Sequence, residues 1–383
     1  MSAANPKIEG TCDGRFAGVK EAFIKNFAEH DELGASVAVY FEGEPVVDMW
    51  GGFCDAGRTK QWNKDTLCAS FSVSKAFVSV MGHMLIDRGL LDIEKPVAHY
   101  WPEFAQNGKE DVTVRDIFQH RVALAYVDAD LKPGDLYDWG TMTTALADST
   151  RHPPFGNQPT YLNLTYGYLL GEVIRRIDGR TIGPFLREEV ARPLGIDFAF
   201  GLRDDEIERC AEIVPEAPPA GADLPIPADM DALMKSMRGL AEGDDRFNIH
   251  AWRKSEVGAG SGHGTARGIA KFFACLGAGG RLNGARLMKQ ETRDRAITYS
   301  GDSIDAIFGQ HNKYAVGFLL NDQPGAPMGP NAEAFGHPGA GGRTGFADPV
   351  SGLAFSYLPN LMYWGAGLGP RGRRLVDAAF AAL

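Results

Sequence analysis

A nearly continuous apolar run spans residues 76–86. Read as a helix it is apolar on almost every side, with Ala76, Phe77, Val78, Val80, Met81, Met84, Leu85 and Ile86. Such a helix belongs in the middle of a domain, and Gly89 is a natural stop for it. Upstream, Phe16, Val19, Phe23, Phe27 and Leu33 form the apolar stripe of an amphipathic helix over 15–33. Two β-rich runs follow, 35–40 and 45–50, around Glu42-Gly43-Glu44. They predict a hairpin closed by Gly51-Gly52, and 53–71 reads as a loop.

From 72 to 255 the pattern is almost purely helical. Helices are expected at 75–89, 112–124 and 164–178, with weaker signals at 140–149, 184–190 and 229–242. The proline-rich stretches 150–160 and 211–228 are loops. From 256 the character changes: a helix at 264–278, short strands at 314–320, 334–337, 345–347 and 353–358, and a closing helix at 375–383. This order predicts an α/β domain built from both ends of the chain, 1–71 and 256–383, with a helical domain, 72–255, inserted into it.

At 383 residues, 44% of them hydrophobic, the chain is long enough for two interlocked cores. Its formal net charge of -10 argues against nucleic acid and anionic membrane surfaces as partners. No apolar run is long enough to span a bilayer. The N-terminus, MSAANPKIEGTCDG, has no apolar segment of the signal-peptide kind. The five cysteines, Cys12, Cys54, Cys68, Cys210 and Cys275, show no paired spacing, which fits a reducing compartment better than a disulfide framework or a zinc site. A cytoplasmic location without cofactor or metal is the expectation.

Ser72 and Lys75 make the only Ser-x-x-Lys in the chain, at the start of the apolar helix. Residues three apart share a helix face, so the lysine can reach the serine hydroxyl. A serine needs a nearby base to become a nucleophile, and a lysine serves only if burial lowers its pKa. The helix N-terminus also favours negative charge developing there. Tyr161 and Asn163 form the only Tyr-x-Asn, opening the helix at 164. Asn163 is either a helix cap or a polar group facing a cleft. Tyr161 would shuttle a proton if the Lys75 ammonium lowered its pKa from about 10. A third stretch, Phe335-Gly336-His337-Pro338-Gly339-Ala340-Gly341-Gly342, ends a strand in glycines, which lets a ligand lie close to the backbone. Pro338 has no N–H, so Gly339 or Ala340 would have to donate to a carbonyl oxygen. The alternative is a plain turn with a satisfied histidine.

Taken together, Ser-x-x-Lys, Tyr-x-Asn and a His-x-Gly in this order resemble the serine β-lactamase and penicillin-binding-protein superfamily. Residues 161–171 (YLNLTYGYLLG) and 335–348 look most like class C β-lactamases and the related family VIII carboxylesterases. The resemblance implies a β-lactamase-like fold, an antiparallel sheet flanked by helices with an inserted helical domain and the active site between the two. It implies Ser72 as nucleophile, Lys75 and Tyr161 as the proton-transfer pair, and Asn163 as a contact to the acyl group. His337 then stands where relatives carry lysine, and the Ser72 and Ala340 N–H groups form the oxyanion hole. Ala123, in Arg121-Val122-Ala123-Leu124, stands where relatives often have glycine. Arg343-Thr344-Gly345 is a competing match for the third motif, set aside because 334–337 reads as the strand. The chain has no Gly-x-Ser-x-Gly and no His-Glu-x-x-His.

Three functions follow: an esterase that cleaves short-chain carboxylic acid esters through an acyl-Ser72 intermediate; a β-lactamase, D-amino-acid peptidase or acyltransferase using the same serine; or a silent binding protein of this fold. His337, mostly neutral at pH 7, favours the esterase, because β-lactams carry a carboxylate that a lysine there would hold. Arg343 is the residue that could compensate. Tyr137, Trp139, Phe155 and Trp252 are expected to line an aromatic cleft of limited size.

Overall fold

The computed structural model describes residues 6–152, 159–218, 221, 226–322, 326–365 and 367–383. Among these, nine strands form one antiparallel sheet: β1 (Ile8–Cys12), β2 (Gly34–Phe41), β3 (Glu44–Gly52), β4 (Gly301–Ile304), β5 (His311–Tyr314), β6 (Leu319–Leu320), β7 (Phe335–Gly339), β8 (Arg343–Asp348) and β9 (Leu353–Pro359). Their order across the sheet is β1-β3-β2-β9-β8-β7-β6-β5-β4, so both ends of the chain contribute to it. The β2–β3 turn places Glu42 at φ 50° and Gly43 at φ 84°. Two left-handed residues make the tight turn whose twist suits a hairpin.

Strand β2 shows why the sheet lies inside. Ala35, Val37 and Val39 pack on one face with Val19 and Phe23 of helix α1 (Ala17–Glu29). Ala38 and Tyr40 join the core on the opposite face. The period of two thus sends alternate side chains into two cores, and burial of one such valine contributes about 1.5–3 kcal/mol.

Helix α2 (Ser74–Asp87) buries every residue from Ser74 to Leu85. Against it packs α4 (Thr165–Asp178), closed by Gly179 at φ 90°, and α3 (Trp139–Asp148) packs on α4 in turn. Helix α5 (Ala266–Gly277), N-capped by Thr265, covers the second face of the sheet. A Cβ on Gly345 of β8 would lie 2.6 Å from the Phe273 ring. Glycine there lets α5 approach closely. Helix α6 (Gly369–Phe380) packs beside α1.

Several expectations change. The helix expected at 112–124 is a single turn, Val114–Phe118, with a Thr113–Asp116 capping box. It stops because His120 adopts φ 57° and Ala123 φ 58°. The strand expected at 314–320 is two strands, β5 and β6, folded back at Gly317 with φ 92°. The helix expected at 229–242 spans Met230–Ser236, whereas 184–190 lies within a longer helical stretch, 182–194, with a π-turn at Leu186–Ala191. The closing helix starts earlier than 375 and ends at Phe380. Strands β1 and β4 were not signalled by their alternation. Residues 153–158 of the 150–160 loop, and 219–220 and 222–225 of the 211–228 loop, lie outside the described residues. No helix among the described residues is long and apolar enough to cross a membrane.

Candidate active site

Ser72 sits in a 3-10 turn, Phe71–Val73, that leads into α2. The turn is held from behind: Ser70 N–H donates to Gly262 O at 2.8 Å, and Gly262 N–H donates to Ser74 Oγ at 3.1 Å. Phe71 takes φ 45° to make this corner. A left-handed non-glycine residue costs about 1–3 kcal/mol, and such strain tends to collect at functional sites.

One turn along, Lys75 is 1% exposed. Its Nζ lies 2.8 Å from Asn163 O, 3.1 Å from Ala259 O and 3.2 Å from Ser72 Oγ. Ala259 reaches this point because α4 carries Gly167 against the 258–259 backbone; a Cβ there would lie 2.5 Å from Ala259 N. Burial holds the Lys75 pKa well below its usual 10.5. Burial thus shifts the balance from ammonium toward amine.

Tyr161 lies with its ring 4.6 Å from Lys75 Nζ. Its pKa moves opposite to the expected direction. Burial raises it above 10, only partly countered by a hydrogen bond with Ser72. The expectation rested on an ammonium at Lys75; desolvation of the buried phenolate is the larger effect and decides the sign. Tyr161 is a phenol.

Two residues that sequence reasoning missed fix Tyr161. Asp305, buried, accepts the Tyr161 N–H at 2.6 Å. His120 accepts Thr160 N–H on its carbonyl at 2.7 Å and Leu162 N–H on Nδ1 at 3.0 Å, while its ring stacks on Tyr161 at 5.1 Å. No spacing in the chain joins 120 or 305 to 161. Asn163 does not cap α4; its Nδ2 donates to Ser236 Oγ at 3.1 Å and its backbone carbonyl faces Lys75.

His337 lies in β7, paired with Gly345 of β8, and is 3% exposed. Its Nδ1 bonds Pro338 O at 2.6 Å. Burial pushes its pKa down to about 3, so it is neutral. Strand β7 lies hard against the Ser72 turn: a Cβ on Gly339 would stand 2.6 Å from Ser70 O.

Ser72, Tyr161, Asn163, His337, Gly339 and Ala340 line one cleft of about 370 Å³, with Lys75 sealed beneath Ser72. The remaining wall comes from Phe308, Gln310, Asn312 and Leu319 on one side and Met362, Tyr363 and Trp364 on the other. No Asp, Glu, Lys or Arg is among these lining residues. The aromatic lining differs from the expected one. Trp139 bonds Glu172 and packs on Tyr168; Trp252 is buried against Phe71 and Phe247; the Tyr137 hydroxyl accepts Ala241 N–H. Phe155 lies outside the described residues. Arg343 does not face the cleft: it is 0% exposed and bonds Ala69 O and Ala340 O.

The model of the family described as Beta-lactamase matches residues 20–380. The chain belongs to the β-lactamase family. It is 32% identical to Esterase/beta-lactamase LipL of Mycobacterium tuberculosis over 93% of this chain and 84% of that protein. Two solved structures superpose with a TM-score of 0.90 at 36% identity, each over 98% of this chain and 100% of the other: a family VIII carboxylesterase and a penicillin-binding-protein homologue from Caulobacter crescentus. The fold is accordingly β-lactamase-like, and the protein is a serine hydrolase of this family with esterase-named relatives.

Proposed function

We propose that the protein hydrolyses short-chain carboxylic esters through an acyl-Ser72 intermediate, in a cleft between an α/β part (1–71 and 256–383) and a helical part (72–255). One observation carries the reading. A neutral amine has two N–H groups and one lone pair. With Asn163 O and Ala259 O taking the two hydrogens, the lone pair of Lys75 is left for the Ser72 hydroxyl proton.

Ser72 Oγ attacks the acyl carbon as its proton passes to Lys75, and the carbonyl oxygen becomes an oxyanion. The Ser72 N–H, at the helix start, and the Ala340 N–H, at the β7–β8 turn, receive that charge. The tetrahedral adduct collapses, the C–O bond to the alcohol breaks, and the leaving oxygen takes a proton delivered through the Tyr161 phenol. Lys75 resupplies Tyr161 and is neutral again. Water then attacks the acyl carbon by the same route, releasing the acid and restoring Ser72. Asn163 contacts the acyl group.

The size and neutrality of the cleft support small uncharged esters. A volume of about 370 Å³ is near the lower end of small-ligand pockets, about 300–1,000 Å³. The same serine would attack a β-lactam, an activity that the name of the LipL relative includes. The lining, however, offers no fixed cation for the β-lactam carboxylate. A panel of p-nitrophenyl esters of rising chain length beside a chromogenic cephalosporin tests this reading. The expected result is a maximum at short acyl chains with far slower cephalosporin turnover. A maximum at long chains, or a preference for the cephalosporin, would overturn it.

A further inference from the structure

Arg343 is the most anomalous charged residue in the molecule. Its guanidinium is wholly buried, and among the described residues no carboxylate lies within ion-pair distance of it; Glu32 acts on it only at longer range. A guanidinium stays charged even when buried, and burying a charge without a partner is costly. Fold stability alone gives no reason to keep it.

Its contacts give the reason. Nε donates to Ala69 O at 2.8 Å, three residues before Ser72. Nη1 donates to Ala340 O at 2.7 Å, on the carbonyl of the turn residue itself. The guanidinium carbon lies 4.9 Å from the centroid of Phe71, the residue with the left-handed φ next to Ser72. The neighbouring glycine is shaped to it: a Cβ on Gly341 would stand 2.5 Å from Nη1. One rigid fork therefore joins the segment that carries the Ser72 N–H to the turn that carries the Ala340 N–H, from the side away from the cleft.

We propose that Arg343 is a positioning residue that sets the spacing of the two oxyanion donors and backs them with a fixed positive charge. This rests on the acyl-Ser72 reading. A planar five-donor fork holds two carbonyls in one fixed geometry, whereas a lysine presents rotatable donors from a single point on a flexible stem.

The test compares Arg343→Met and Arg343→Lys with wild type by thermal unfolding, by kcat and KM on p-nitrophenyl butyrate, and by inhibition with phenylboronic acid. The boronate forms a tetrahedral adduct on the serine and so fills the oxyanion hole. Removing an unpaired buried charge is expected to leave Tm at or above wild type. A misplaced donor pair is expected to lower kcat about 10²-fold in Arg343→Met, with Arg343→Lys in between. KM should stay within about threefold, since the interaction grows in the transition state. Boronate affinity should fall by the same factor as kcat. Folded variants with unchanged kcat, a loss confined to KM with boronate affinity intact, or failure of both variants to fold would each overturn the proposal. Ser72→Ala is the separate control: if it still hydrolyses the ester, the acyl-Ser72 reading itself fails, whatever Arg343 does.

Discussion

The Nζ of Lys75 lies closer to the carbonyl oxygens of Asn163 and Ala259, 2.8 and 3.1 Å, than to the Ser72 hydroxyl at 3.2 Å. Two of its hydrogens are thus committed away from the serine. In the proposed mechanism a lysine so placed accepts the Ser72 proton, and burial favours that role.

That burial has a stability consequence. The Lys75 pKa is lowered well below 10.5 in the folded protein, so between the folded value and 10.5 the unfolded chain binds one more proton. Stability from this site therefore rises with pH through that window and is lost as pH falls. Lys75→Met removes the penalty, offset in part by two carbonyls left without a donor. The expected outcome is a folded protein more stable by about 0.5–2 kcal/mol at neutral pH with kcat lower by at least about 10²-fold. Denaturant unfolding and steady-state kinetics on the same preparation measure both. A destabilised Lys75→Met would contradict the neutral-amine account.

In the proposed mechanism Tyr161 carries the proton to the leaving alcohol, and as a raised-pKa phenol it would act by donating. Tyr161→Phe keeps the ring against His120 and removes only the hydroxyl. A kcat lower by about 10²–10⁴-fold with little change in KM is expected. The loss should shrink for esters with acidic leaving groups, which depart without a proton. An equal loss across leaving groups would exclude this role.

His337 is neutral, and Arg343 is turned away from the cleft. His337→Lys therefore introduces the first fixed charge on the lining. A charge-assisted hydrogen bond to a substrate carboxylate contributes roughly 1.5–3 kcal/mol, about ten- to a hundred-fold in binding. Affinity for carboxylate-bearing esters or β-lactams should rise by up to that factor, while neutral short esters change less. Kinetics on both substrate types decide it; no relative gain for carboxylates would remove neutrality as the basis of specificity.

Much of this arrangement was legible in the chain, and what was not has a physical cause. The β2–β3 hairpin and helix α4 announce themselves because their turn residues and periodicities are local. Ser72, Lys75, Tyr161, Asn163, His337, Gly339 and Ala340 reach one place, as their motifs imply. The run from Tyr314 to Leu320 hides a turn at Gly317, since apolar residues continue through it. His120 ends its helix through contacts with Thr160 and Leu162, about forty positions away, which no local pattern encodes. The cleft walls at 308–312 and 362–364 likewise come from segments far from the motifs. The sign of the Tyr161 shift is decided by burial of the phenol, and that is set by packing.

Ala123 stands at φ 58°, which accounts for the glycine that relatives often carry there. A left-handed alanine costs about 1–2 kcal/mol, against about 0.5–1 kcal/mol of extra chain entropy for glycine. Ala123→Gly should therefore be neutral or stabilising by up to about 1 kcal/mol, with ester hydrolysis unchanged. Loss of more than that in a denaturant titration would mean that the alanine methyl, buried against Ile307, outweighs the backbone strain.

The central claim is a covalent acyl group on Ser72. Mixing the enzyme with excess p-nitrophenyl butyrate, quenching in acid within milliseconds and mapping the peptides by mass spectrometry tests it most directly. The account predicts a butyryl adduct on the peptide containing Ser72, absent in Ser72→Ala, which should fold normally and hydrolyse nothing above background. Full hydrolysis by folded Ser72→Ala, or an adduct on another residue that turns over at the steady-state rate, would contradict it.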